Sequence, residues 1–454
     1  MSSILSKYNV PVPRYTSYPP ANFFHEEFTE KDLLNAIDLS NSQKPEHISF
    51  YIHIPYCKRL CYFCGCNSYI KSKNADENVY VDAVLKEIEI VCKRIDPKRK
   101  ISQIHFGGGS PTSIDLNLIK KINETLLSKF DCIENAEIAI ECHAGYLDEE
   151  DFYTLADSKF NRVSIGIQDF SPEVLKACNR IPPKLPIEKI FEILRSRNIK
   201  INMDFIYGLP YQTLVGFSDS ITKAISLSPD RLVTFGYAHL PSVFPNQMML
   251  EKAGLPSEEL KNNLYLSAQE LLTKAGYTQI GLDHFVKRED ELYQALISNK
   301  LHRNFQGYCT RRTTGQVYAF GVTGISQLSS AYAQNTKDIQ GYINSINNGI
   351  IPVLRGYILN EEEQITREVI TTLMCNEQIV WQEIANHFDK TVKEIKQATA
   401  YNKDKLQEMA DDGIIIFDED KIEMKIKGSP FVRNIAASLD KKLLHSKLKF
   451  SKPI

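Results

Sequence analysis

Four of the ten cysteines crowd into one stretch as Cys57, Cys61, Cys64 and Cys66, while the other six are scattered singly. The first three read Cys-x3-Cys-x2-Cys. Three thiolates this close can hold three corners of a cubane iron–sulfur cluster, and the fourth iron then has no protein ligand. An open metal position is where a substrate or cofactor binds, so that free corner is the chemically useful one. The alternative is structural zinc, with Cys66 as a fourth thiolate. Tetrahedral zinc sites usually draw on two separated pairs of ligands, whereas these four cysteines lie within ten residues, which favours the cluster.

Further polar or glycine-rich positions recur along the chain as Gly107-Gly108-Gly109-Ser110, Glu141, Gln168-Asp169 and Asp204. Each falls at or near the end of a short β-branched or aromatic run. The runs are Ile48 to Ile54, which leads into the cysteines, Ile101 to Phe106, Glu137 to Glu141, Arg162 to Ile167, Ile201 to Tyr207 and Leu232 to Tyr237. They predict buried strands. Helical periodicity fills the intervals, over Asn78 to Ile95, Leu116 to Phe130, Asp148 to Phe160, Leu185 to Arg197, Leu214 to Leu227 and Glu258 to Ala275. Six βα units in a row imply parallel strands with right-handed crossovers. A doubly wound sheet and a barrel both satisfy the alternation. Polar groups at the carboxyl end of strand after strand would converge on one rim of a barrel, so the expected fold is α/β, a partial (β/α)6 TIM-like barrel spanning residues 48–345.

Residues 1–47 carry Pro11, Pro13, Pro19 and Pro20 around Arg14-Tyr-Thr-Ser-Tyr18 and read as an arm covering the barrel, too broken by proline for a regular element. Residues 346–454 read as a mostly helical, winged-helix-like domain. Its helices are expected over Glu361 to Met374, Val380 to Phe388 and Val392 to Ala410, with a hairpin of Gly413 to Phe417 and Ile422 to Ile426. The lysines of the tail, Lys441, Lys442, Lys447, Lys449 and Lys452, read as a solvated helical face.

Fifty-four lysines and arginines against fifty-six aspartates and glutamates leave a formal charge of −2, which argues against a polybasic nucleic-acid or membrane-surface binder. The 43% of apolar residues can build a real core, and 454 residues at ~150 per domain suggest about three units or one large unit with appendages. No stretch has the ~18 uncharged apolar residues of a membrane span, and the amino terminus lacks a secretory pattern, so a cytoplasmic protein is expected. In a reducing compartment, crowded cysteines mean metal or redox chemistry rather than disulfides.

The sequence resembles the radical S-adenosylmethionine superfamily at Tyr51-Ile-His-Ile-Pro-Tyr-Cys57 through Cys64 and at Phe106-Gly-Gly-Gly-Ser-Pro-Thr112. Within it, the chain is similar almost from end to end to the oxygen-independent coproporphyrinogen III oxidases. The runs that carry this are Pro13-Arg-Tyr-Thr-Ser-Tyr-Pro19, Cys61-Tyr-Phe-Cys-Gly-Cys66, Ser164-Ile-Gly-Ile-Gln-Asp-Phe170, Asp204-Phe-Ile-Tyr-Gly-Leu-Pro210, Tyr237-Ala-His-Leu-Pro241, Leu282-Asp-His-Phe285 and Leu301-His-Arg-Asn-Phe-Gln-Gly-Tyr308. Haem chaperones of the superfamily lack both the Cys-x-Cys extension to Cys66 and the run from Arg14 to Pro19.

The resemblance implies that Cys57, Cys61 and Cys64 ligate a 4Fe-4S cluster, with Tyr51, Gly108, Glu141 and Ile325 around a cluster-bound S-adenosylmethionine. A second S-adenosylmethionine would meet Phe63, Gly109, Ser110, Gln168, Arg180, Asp204 and Ala238. The residue types suit these roles: glycines let backbone approach the methionine end, carboxylates accept from ribose hydroxyls, and a guanidinium meets a carboxylate. For the glycines, a tight turn joining strand to helix is the alternative. The implied reaction is oxidative decarboxylation of two propionates of coproporphyrinogen III to vinyl groups by a 5'-deoxyadenosyl radical, giving protoporphyrinogen IX. Electrons would come from a donor such as flavodoxin or ferredoxin.

Arg14, His302 and Arg303 are candidates for the substrate carboxylates, and Cys66 for a catalytic part in hydrogen or electron transfer. A monomer without nucleic-acid or membrane partners is expected. The alternatives are a haem-trafficking protein with a regulatory cluster and a radical enzyme acting on haem. The chain departs from the family at Cys142-His-Ala144, where an acidic or amide residue and proline are common, and at Cys309-Thr-Arg-Arg-Thr-Thr-Gly315. Ser110 stands where threonine is frequent.

Overall fold

The computed structural model describes residues 4, 7–8, 10–71, 76–281, 283–310, 316–425 and 431–443. Leu282, the stretch 311–315, Ile426 and the tail lysines Lys447, Lys449 and Lys452 lie outside the described residues.

The six expected strands are present and lie side by side in chain order, all parallel. They are β1 (Ile48–Ile54), β2 (Ile101–Gly108), β3 (Cys132–Cys142), β4 (Arg162–Gln168), β5 (Lys200–Tyr207) and β6 (Arg231–Gly236). Side chains alternate across each strand, and here the two faces differ in chemistry. Phe50, Ile52, Phe106, Ile140, Ile165, Met203 and Leu232 belong to the main buried core. On the opposite face Gln103, His105, Glu141, Ser164 and Asp204 line an internal cavity.

The helices among these strands are α1 (Glu30–Ser40), ahead of β1, then α2 (Glu77–Cys92), α3 (Leu116–Lys129), α4 (Glu149–Ala156), α5 (Ile187–Arg195), α6 (Leu214–Leu227) and α7 (Glu258–Lys274). Most begin where a short polar side chain accepts an otherwise orphaned amide: Asp76 from Asn78, Asp115 from Asn117, Asp148 from Asp151, Thr213 from Gly216 and Ser257 from Leu260. Helix α4 stops at Ala156, short of the expected Phe160, as the chain turns into β4 through Lys159 at φ +63°.

The sheet extends past the expected six strands. Val317–Phe320 pairs in parallel with β1, and Ile325–Gln327, Ala331–Asn335 and Val353–Ile358 follow antiparallel. Beyond β6 come His284–Val286 and Thr278–Ile280. The resulting twelve-stranded sheet is a barrel that hydrogen bonding leaves open. Its edge strand Val353–Ile358 lies beyond residue 346.

The amino-terminal segment differs from the expected arm in two ways. No proline falls between Pro20 and Pro45, and in that interval α1 forms, with Thr29 and Asp32 in a reciprocal cap. Phe28, Leu33, Ala36 and Ile37 pack into the barrel core. The stretch before Pro20 turns instead to the carboxyl-terminal unit, where Tyr15 and Tyr18 join a core with Leu373, Trp381, Ile395 and Ile435. Both phenols donate to Asp440, at 2.9 and 3.1 Å, and Arg433 donates to the carbonyls of Pro13 (3.0 Å) and Val12. Buried tyrosines need an acceptor, and this unit supplies it.

The carboxyl-terminal unit holds Glu361–Asn376, Trp381–Phe388, Val392–Ala398 and Lys403–Asp411, followed by Val432–Ser438. The single helix expected over Val392 to Ala410 is two, because Asn402 accepts from the Lys405 amide at 3.0 Å and starts a new one. Gln378–Val380, Lys421–Met424 and Ile415–Phe417 form a three-stranded sheet in that order. Among the described residues no helix is long and apolar enough to cross a membrane.

Candidate active site at the carboxyl rim of the barrel

Chain leaving β1 passes through Pro55 and Tyr56 into Cys57, and the glycine turn after β2 grips it. The Gly109 amide donates to Ile54 O at 2.8 Å, the Ser110 amide to Tyr56 O at 2.9 Å, and the Ser113 hydroxyl to Tyr56 O at 2.7 Å. A Cβ on Gly109 would stand 2.8 Å from Tyr56 O and 2.9 Å from Pro55 O. One on Gly108, at φ +118°, would meet Ile54 O at 2.8 Å. The missing side chains therefore let two backbones touch. Their first task is clamping the start of the cysteine loop. The loop returns alongside itself, with the Tyr69 amide on Pro55 O (2.8 Å) and the Lys71 amide on Cys57 O (2.9 Å).

Cys57, Cys61 and Cys64 are partly buried, Cys66 is exposed, and none is in a disulfide. Two N–H donors point at sulfur. The Cys66 amide lies 3.4 Å from Cys64 Sγ, and Arg180 Nη1 lies 3.4 Å from Cys61 Sγ. Such donors favour the thiolate, which is the ligating form, although at Cys61 burial outweighs Arg180 and raises the thiol; three sulfurs on one short loop, two with N–H donors, fit a cluster held by cysteine. Among the described residues no three histidine, cysteine, aspartate or glutamate side chains close on one point, as a site for a single metal ion requires.

Inside the barrel, the Tyr51 ring stacks on His105, with centroids 6.0 Å apart and planes at 20°, and the Tyr51 hydroxyl pairs with His53 Nδ1 at 3.1 Å. His105 Nε2 lies 3.2 Å from Glu141 Oε1, and a Cβ on Gly107 would come within 2.7 Å of that same oxygen. Burial raises the Tyr51 phenol well above its usual range and lowers His53, so both are neutral at neutral pH. His105, which sequence reasoning passed over, shares the lumenal face of β2 with Gly107, and this period-two spacing is the signal that could have found it.

Asp204 accepts from the Ser164 hydroxyl at 2.9 Å. Burial pushes its pKa up to about 6, against the lowering pull of Ser164. Gln168 sits in left-handed backbone at φ +71°, and its Oε1 is buried without a hydrogen-bond partner. An orphaned buried acceptor on strained backbone is the mark of a ligand contact. Its neighbour Asp169 is structural, accepting from the Ser171 amide, the Ser220 hydroxyl and the Gln212 side-chain amide at 2.7–2.9 Å.

Glu141, Ser164, Asp204, Phe235, His284 and Tyr308 share the wall of a cavity of about 270 Å³. At its floor Arg162 and Arg231 meet Glu137 at 2.8 and 3.4 Å, and Arg231 meets Asp290 at 2.9 Å. Burial opposes ionisation of Glu137, and the two arginines overcome it, holding its carboxyl well below the usual range.

Other expected residues are placed less directly. Phe63 packs against an apolar cluster of Val174, Cys178, Leu209, Tyr237 and Leu250. Gln247 Nε2, which no motif singled out, lies 3.3 Å from both Phe63 O and Ala238 O and ties those two together. The Ser110 hydroxyl is buried beside Thr112, at 3.3 Å. Ile325 packs against the cluster of Phe24, Tyr332 and Leu359 and does not line the cavity. Arg303 lies over the Tyr308 ring at 5.1 Å, and His302 Nδ1 accepts from the Arg303 amide at 2.8 Å. Burial lowers Lys261 and Arg433, and Arg14 is near enough for its charge to lower both further.

At the departure after β3, Cys142 is buried, His143 Nδ1 accepts from the Gly145 amide at 3.1 Å, and the His143 amide donates to Thr112 at 3.2 Å. Burial and then Arg180 lower His143 to about 3, so it serves as a neutral acceptor that caps the turn Ala144–Tyr146.

Residues 51–224 match the radical SAM superfamily, and residues 359–431 match the HemN C-terminal domain. The oxygen-independent coproporphyrinogen III oxidase of Synechocystis is 37% identical over 97% of this chain and 94% of the relative. Those of Helicobacter pylori and Escherichia coli K12 are each 36% identical, over 99% and 96% of this chain and 98% and 94% of the relatives. The chain belongs to the oxygen-independent coproporphyrinogen III oxidases. The solved structure of Escherichia coli coproporphyrinogen III oxidase (HemN), described as a radical SAM enzyme, superposes with a TM-score of 0.87 at 34% identity, covering 97% of this chain and 99% of that one. As a member of this oxidase family the chain is a radical SAM oxidoreductase. Membership of the superfamily implies a 4Fe-4S cluster and S-adenosylmethionine.

Proposed function

We propose that this oxidase converts two propionate side chains of coproporphyrinogen III to vinyl groups, giving protoporphyrinogen IX. In each, a C–H bond at the β-carbon gives up a hydrogen atom, the bond to the carboxylate breaks to release carbon dioxide, and one electron leaves to an acceptor as the double bond forms. Cys57, Cys61 and Cys64 would hold the cluster, which with S-adenosylmethionine supplies a 5'-deoxyadenosyl radical as the hydrogen acceptor.

The observation that carries the reading is that Arg180 joins the cysteine loop to the barrel, donating both to Cys61 Sγ and to Gly166 O, the strand partner of the Asp204 that walls a polar cavity with Glu141. Gly108 lies against the segment entering the loop, and Tyr51 and Glu141 both meet His105; to these three residues the resemblance assigns a cluster-bound S-adenosylmethionine. A second S-adenosylmethionine is supported by the orphaned Gln168 Oε1 and the buried Asp204 carboxyl. Ribose hydroxyls and an ammonium group are donors of the kind the Gln168 oxygen lacks, and the Asp204 carboxyl can accept from them beside its bond from Ser164. The residues orient substrate and exclude water, and no side chain has to move a proton at the abstraction step.

The electron donor is a small acidic carrier such as a flavodoxin or ferredoxin. Lys58 and Arg59, between the first two cluster cysteines, are exposed, and Lys58 Nζ lies 5.3 Å from the centre of the Tyr146 ring.

The deciding experiment is anaerobic turnover of coproporphyrinogen III with dithionite and S-adenosylmethionine, with products read by mass. Loss of two carbon dioxide molecules with vinyl formation is expected. Deoxyadenosine released without a vinyl product would overturn the substrate assignment.

A further inference from the structure

Three consecutive residues that follow the short helix Pro172–Ala177 reach three consecutive residues of the cysteine loop. Asn179 Nδ2 donates to Leu60 O at 2.8 Å, Arg180 Nη1 donates to Cys61 Sγ at 3.4 Å, and Cys178 O accepts from the Tyr62 amide at 3.0 Å. This stretch is itself firmly held. The Cys178 amide returns to Val174 O at 3.1 Å, the Arg180 amide to Leu175 O at 2.9 Å, and Asn179 takes left-handed backbone at φ +56°. The second amino group of Arg180 donates to Gly166 O in β4, a residue that pairs with Asp204 on β5. The guanidinium is thus fixed by a central strand at one end and laid on a cysteine sulfur at the other, with Arg180 only 9% exposed.

We infer that Cys178-Asn179-Arg180 is a strap that positions the middle cluster cysteine, and that the Arg180 charge makes a cluster held there easier to reduce. Reduction adds one negative charge to the cluster. A cation donating an N–H to a ligand sulfur in a water-poor setting stabilises that added charge more than it stabilises the oxidised form. Arg180 is then a positioning residue, a role separate from the contact with a second S-adenosylmethionine that family resemblance gives it. The inference rests on the reading that Cys57, Cys61 and Cys64 hold a 4Fe-4S cluster.

The test compares wild type with Arg180→Lys, Arg180→Gln and Asn179→Ala, each reconstituted anaerobically with iron and sulfide. Iron per chain and the midpoint potential are measured by redox titration under electron paramagnetic resonance. No S-adenosylmethionine is added, so a ligand contact cannot contribute. Arg180→Gln is expected to shift the potential to a more negative value, with Arg180→Lys between it and wild type. Asn179→Ala is expected to weaken cluster retention about tenfold, the lower end of the ~10–100-fold loss typical when partners of metal ligands are removed.

Wild-type potentials in both Arg180 variants would overturn the electrostatic role, and wild-type retention in Asn179→Ala would overturn the strap. If Arg180→Gln retains no iron, the Arg180→Lys potential decides alone. A wild-type chain that takes up no cluster at all fails the functional reading itself, a result readily told apart from a loaded cluster whose potential does not move.

Discussion

At the scale of single residues, the glycines after β2 and the buried Asp204 carry the sharpest expectations. A methyl on Gly109 would press on two carbonyl oxygens of the segment entering the cysteine loop. Overpacking of this kind costs about 1–3 kcal/mol. Gly109→Ala should therefore lower the melting temperature and reduce iron uptake together, measured by calorimetry and by iron analysis after reconstitution. Asp204 has a folded pKa of about 6, above the ordinary carboxyl value of about 3.9. The folded chain holds the extra proton between those values, so this residue's contribution is most favourable below about pH 4 and is lost as pH rises through about 6. Asp204→Asn should flatten the pH dependence of stability across that window and stabilise the chain above it, by at most about 3 kcal/mol, as thermal melts at stepped pH would record. The cysteine triad was legible because its spacing is itself the chemistry. His105 was passed over although its period-two spacing from Gly107 marks it, whereas Gln247 and the aim of Arg180 at Cys61 were not legible, because a lone residue takes its meaning from a neighbour brought up by another element.

At the scale of elements, the helices were legible through their apolar periodicity, and the caps Asp76, Asp115, Asp148, Thr213 and Ser257 account for where five of them start. The six parallel strands were legible for a similar reason, each being bounded by helical periodicity. Strands of three to six residues such as Ile325–Gln327 and Val353–Ile358 are too short to show a period of their own, and their place is set by sheet edges that form elsewhere. Helix α1 was hidden by the prolines before it, although Thr29 and Asp32 mark its start. The hold of the carboxyl-terminal unit on the segment before Pro20 is testable through Asp440. Removing its carboxylate leaves two buried phenols without their acceptor, at about 1–3 kcal/mol for each group left unsatisfied. Asp440→Ala should release this segment to limited proteolysis before the barrel is cut, whereas Asp440→Asn, which keeps an acceptor, should protect most of it.

At the scale of the whole molecule, a formal charge of −2 argues against a polybasic surface, yet the cysteine loop itself exposes two adjacent cations, Lys58 and Arg59. Steering by such a patch acts on association rate and is screened by salt. Reduction of the reconstituted cluster by an acidic flavodoxin should slow as salt is raised, and should slow further in Lys58→Glu/Arg59→Glu. Reduction by dithionite should be the same in both proteins. Stopped-flow absorbance would measure each, and equal flavodoxin rates in variant and wild type would remove the patch from electron delivery.

Tyr15 and Tyr18 share an acceptor that lies 425 and 422 residues further along the chain. A ribosome adding ~5–20 residues per second delivers Asp440 roughly 20–90 seconds after it has made those tyrosines. Throughout that delay the barrel can assemble while this leading stretch hangs loose. The latch between the two ends is therefore among the last contacts synthesis permits, and a half-made oxidase keeps its front end open.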